Sequence, residues 1–90
     1  MKVMIVEDEE GIRKLLVKIV SKNESFQVVA ECAGFHDAIK MYSECQPDII
    51  FMDIEFEDGN SFELFDTPDF KSKVIITTRL TEYAYHAYRN

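Results

Sequence analysis

Hydrophobic positions along this chain follow two rhythms. Lys2 to Val6, Phe26 to Cys32, Ile49 to Met52 and Lys73 to Thr78 are short apolar runs, most of them rich in Val and Ile. Such runs suit strands, and where they are near-continuous, strands buried on both faces. Between them the spacing lengthens. Ile12, Leu15, Leu16, Ile19 and Val20 fall at i, i+3, i+4, i+7 and i+8, a single helical stripe. Arg13, Lys14 and Lys18 are assigned to the other face of that helix. A second helix is expected after Gly34, with Phe35, Ala38, Ile39 and Tyr42 on one side. It must end before Pro47, since proline cannot continue a helix. Phe62-Glu63-Leu64-Phe65 allows only a short helix, and Thr81 can cap a last one from Glu82 to Arg89. The predicted order βαβαβαβα specifies an α/β fold with a parallel sheet and helices on both faces. Its crossovers should be right-handed.

The stretch Pro47-Asp48-Ile49-Ile50-Phe51-Met52-Asp53-Ile54 organises the rest. It is an apolar run that stops on a carboxylate, and the C-terminal edge of such a sheet is where ligands bind. Taken alone, Asp53 reads better as a solvated strand-end residue than as a site. Its company changes the picture. Strand one ends on Glu7-Asp8-Glu9-Glu10, and strand four ends on Thr77-Thr78. Parallel strands bring these ends to one edge. Three carboxylates gathered there repel one another unless a cation joins them or one takes up a proton. Hard oxygen donors suit Mg²⁺, which keeps several waters and often binds a phosphate oxygen as well. A nearby threonine hydroxyl can donate to such an oxygen. Spacing therefore points either to a Mg²⁺-assisted phosphoryl site or to a merely acidic surface edge.

Composition narrows the classes. Ninety residues make at most one domain, and 47% hydrophobic with 30% charged residues describes a globular chain. No apolar run reaches the length of a membrane span, and acids follow the first strand too soon for a signal peptide. A cytoplasmic location is the expectation. Ten basic against seventeen acidic residues leave a formal charge of −7, so direct binding of nucleic acid is not expected. Cys32 and Cys45 have no metal-ligand spacing and read as reduced thiols. His36 and His86 lie outside the strand-end motifs and are assigned to surface or packing.

Val3-Met4-Ile5-Val6-Glu7-Asp8-Glu9, the run Pro47 to Ile54, and Val74-Ile75-Ile76-Thr77-Thr78 strongly resemble the receiver domain of two-component response regulators. The tail Thr77-Thr78-Arg79-Leu80-Thr81-Glu82-Tyr83-Ala84 is similar to receivers that precede a LytTR-type DNA-binding domain. The resemblance implies a flavodoxin-like three-layer sandwich with strand order 2-1-3-4. It implies that Asp53 accepts a phosphoryl group from a sensor histidine kinase. Glu7, Asp8 and Asp53 would hold Mg²⁺, joined by the backbone carbonyl of Glu55. Thr78 would be the switch hydroxyl that moves to the phosphoryl group, and the result would be a switch acting on transcription.

The departures are specific. Glu7 stands where the family more often has Asp. Glu57 replaces a common proline, Ser61 a glycine, and Arg79 a small residue after the switch threonine. A fifth strand with its lysine, and a fifth helix, have no counterpart before Asn90. The expectation is a C-terminally incomplete receiver spanning residues 1–90, whose fourth strand offers an open edge for dimerisation or strand exchange. One rival is a degenerate receiver acting only through protein contacts. Another is a haloacid dehalogenase-type phosphohydrolase, which needs an Asp where Glu55 stands. Turnover of a phosphate ester would identify that one.

Overall fold

The computed structural model describes residues 1–53 and 64–77. In chain order the elements are β1 (Lys2–Val6), α1 (Glu10–Ser21), β2 (Gln27–Cys32), α2 (Phe35–Cys45), β3 (Ile49–Met52) and β4 (Lys73–Ile76). The strands form one sheet in the order β2-β1-β3-β4, and every pairing is parallel. This is the α/β arrangement and strand order expected from the sequence. Val3 pairs with Val28 and Met4 with Ala30, so Val29 is an extra residue that bulges β2 against β1.

Alternation along the strands divides the core into two layers. Met4, Val6, Ala30, Cys32, Ile50 and Met52 pack on one face with Phe35, Ala38 and Tyr42 of α2. Val3, Ile5 and Ile49 pack on the other with Leu16 and Val20 of α1. The central strands are closed to water, with Val3, Met4, Ile5, Val6, Ile50 and Met52 all 0% exposed. Their ladder therefore forms a rigid base beneath the strand ends.

α2 buries the predicted side, and Gln46 closes it in a left-handed conformation (φ 47°), its amide bonded to the Tyr42 carbonyl just before Pro47. α1 departs from the predicted stripe. Leu16 and Val20 are buried and Ile12 and Val17 pack beside them, but Ile19 is 44% exposed. The helix is rolled toward the Val17 side. At about 100° per residue, Arg13 then lies inside the covered arc, between Val20 and Val17. Its assignment to the outer face is corrected accordingly: the Arg13 side chain is only 18% exposed.

Below the sheet, Tyr42 ties two segments together. Its ring stacks on Phe70 at 4.9 Å, Phe70 meets Phe65 edge-on at 5.6 Å, and its hydroxyl accepts the Lys71 amide at 2.9 Å. Ser72 Oγ donates to the Pro47 carbonyl. These contacts deliver the chain to β4. That strand ends at Ile76 and not at the predicted Thr78, because Thr77 already leaves the ladder. Of the predicted third helix, Leu64 and Phe65 are helical, while its first half and the predicted last helix lie outside the described residues. β4 is half open to solvent, with Ile75 40% and Ile76 46% exposed. Among the described residues no strand pairs with its outer edge.

Candidate functional site

Each strand end is fastened to its neighbour one residue past the last paired position. The Glu7 amide donates to the Cys32 carbonyl at 2.9 Å, the Asp53 amide to Val6 at 3.2 Å, and the Thr77 amide to Met52 at 2.8 Å. Glu7, Asp53 and Thr77 thus leave the sheet in register, along the edge where strand-end residues of a parallel sheet converge. Glu7, Asp8 and Asp53 each offer a carboxylate oxygen, and these oxygens lie within 4.8 Å of one another.

The three acids sit in unequal surroundings. Glu7 is buried, Asp53 half-buried and Asp8 exposed. Burial pushes the Glu7 carboxyl up from 4.5 to about 7. A hydrogen bond with the Asp8 carboxylate and the charges of Asp53 and Asp8 act in the same direction. The Glu9 amide, 3.4 Å from Glu7 Oε2, opposes them. The cluster thus favours a proton at Glu7 more than an isolated carboxyl would. A divalent cation would displace the proton and satisfy all three groups, so the donor set fits Mg²⁺.

Thr77 contributes a further polar group. Its side chain is fully buried, and Oγ1 has no hydrogen-bond partner among the described residues. Thr78, Glu55 and Arg79 lie outside the described residues, as do Glu57, Ser61 and His86. His36 is exposed, in the first turn of α2. Cys32 and Cys45 are free thiols, and burial raises the Cys32 thiol to about 11, which leaves it protonated and inert.

Arg13 was not legible as part of this edge. Its Nη1 donates to the Glu7 carbonyl at 2.9 Å, and its Nε stands 4.0 Å from Glu31 Oε1 at the end of β2. Its place three residues into α1 was the available signal, but a basic residue there reads equally as solvated.

A parallel sheet in the order β2-β1-β3-β4 with an acidic cluster at its strand-end edge defines an α/β fold with a candidate Mg²⁺ site. Comparison with known proteins gives its family. Residues 3–88 match the family described as the response regulator receiver domain, and the chain belongs to that family. It is 31% identical over 90 residues to an uncharacterized response regulatory protein of Yersinia pestis, covering 98% of this chain and 38% of that protein. It is 29% identical over 89 residues to the transcriptional regulatory protein BtsR of Salmonella typhi, covering 97% and 37%. The response regulator domain of Thermotoga maritima CheB superposes with a TM-score of 0.76 at 25% identity, over 96% of this chain and 71% of that one. The chain thus spans less than two fifths of the length of the curated relatives it matches. No helix among the described residues is long and apolar enough to cross a membrane.

Proposed function

We propose that this receiver is a Mg²⁺-dependent phosphoacceptor and that Asp53 is the residue modified. The observation that carries this is the meeting of Glu7, Asp8 and Asp53 within 4.8 Å at the strand-end edge. An ionised Asp53 oxygen attacks the phosphorus of a phosphohistidine on a sensor kinase. The new P–O bond forms as the P–N bond breaks, and the imidazole leaves and takes up a proton. Glu7, Asp8, Asp53 and the Glu55 carbonyl would hold Mg²⁺, which would supply charge neutralisation at the phosphoryl group. Glu7 and Asp8 would hold the cation, the backbone bond from Asp53 to Val6 keeps the nucleophile on the edge, and Thr78 would serve as the switch hydroxyl.

The similarity to BtsR, named a transcriptional regulatory protein, and 31% identity over 64 residues to the sensory transduction protein LytT of Bacillus cereus support a LytTR-type output acting on transcription. The β4 edge, unpaired among the described residues, and the exposed Ile75 and Ile76 support self-association through that strand.

Intact mass after incubation with Mg²⁺ and acetyl phosphate tests the assignment. One added phosphoryl group is expected, lost in Asp53→Asn and in chelator. Labelling that survives Asp53→Asn overturns it.

A further inference from the structure

We propose that Arg13 is a positioning residue for the cation: its guanidinium pins the peptide that joins Glu7 to Asp8 and so aims both carboxylates. The inference rests on the Mg²⁺ reading above. The carbonyl that accepts Arg13 Nη1 at 2.9 Å is that of Glu7. It belongs to the one peptide unit shared by two of the three acids, so fixing its plane fixes the origin of both side chains.

The surrounding bonds make the pin specific. The Arg13 amide donates to the Glu9 carbonyl at 2.8 Å, and the Glu9 amide reaches back to Glu7 Oε2 at 3.4 Å. Residues 7–9 are thus tied to α1 by the backbone and the side chain of one residue. Glu31, at 4.0 Å from Nε, steers the guanidinium from the far side. The planar fork of arginine can meet both partners at once, which a lysine ammonium cannot do in the same geometry. Lys14, the next residue, is the contrast. It is 70% exposed and pairs with Glu10 at 3.1 Å on the outer surface.

Charge and geometry predict opposite signs. Arg13 is a positive charge close to a cation site, so by Coulomb's law alone its removal should tighten Mg²⁺. If it positions the ligands, removal should weaken Mg²⁺, as loss of a group that orients metal ligands does.

Isothermal titration of the metal-free protein with Mg²⁺ decides between them. Arg13→Gln is expected to raise the Kd about tenfold. Arg13→Lys keeps the charge and is expected to raise it about threefold. Lys14→Gln should match the parent. A Kd in Arg13→Gln that is unchanged or lower, with normal uptake by the parent, overturns this inference alone. Should Arg13→Gln fail to fold, a parent-like Kd in Arg13→Lys overturns it. A parent that takes up no Mg²⁺ overturns the underlying reading as well.

Discussion

Replacing Glu7 with Gln should make the metal-free protein more stable at pH 8, although Glu7 lies in the site. The side chain is 1% exposed, and its carboxyl is raised from 4.5 to about 7, chiefly by burial. A group that binds its proton more tightly when folded contributes stability that is fully present below its unfolded value. That stability is lost as pH rises through the folded value, here between 4.5 and about 7. At about 1.4 kcal/mol per tenfold change in proton affinity, ionised Glu7 costs the folded state about 3 kcal/mol at pH 8. Glutamine has nearly the same shape, carries no charge, and its amide donates to Asp8 as the shared proton does. Part of the burial cost remains, so the expected gain is about 2 kcal/mol. For a domain of this size that is about 10 °C in melting temperature. The assay is thermal unfolding by circular dichroism in chelator at pH 8 and pH 4.5. The advantage of Glu7→Gln should appear at pH 8 and shrink toward zero at pH 4.5. A variant no more stable than the parent at pH 8, or equally favoured at both values, refutes the electrostatic account.

Two further outcomes follow from the geometry. Thr77→Val removes a fully buried hydroxyl that has no hydrogen-bond partner among the described residues and should raise stability by about 1 kcal/mol in chemical denaturation; acetyl phosphate labelling should persist, because the proposed switch hydroxyl is that of Thr78, and a loss of labelling would reassign that role to Thr77. Ile75→Lys places a charge on a residue 40% exposed at the open edge of β4. Sedimentation should show self-association of the parent weakened in this variant, and identical distributions would remove β4 from the contact.

Much of this protein was determined by its sequence. The apolar runs of β1 and β3 have no polar alternation, and residues of that kind are stable only with both faces covered. That requirement, with helical spacing between the runs, was enough to specify parallel strands and to bring Glu7, Asp8 and Asp53 to one edge. Local chemistry carried α2 as well, since Pro47 and the apolar side through Phe35, Ala38 and Tyr42 mark both its end and its face.

Tertiary structure decided what depends on relative placement. The stripe through Ile12, Leu15, Leu16, Ile19 and Val20 does not say how far α1 rolls on the sheet. Packing against Val3, Ile5 and Ile49 settles that, leaving Ile19 exposed and turning Arg13 inward. The end of β4 was overestimated because Thr77 has strand-like chemistry, while only the limit of pairing with β3 determines where the ladder stops. The unequal state of the three acids belongs to the fold too. Their spacing along the chain implies mutual repulsion, but burial is a property of the assembled core, and it is what singles out Glu7 and raises its carboxyl to about 7.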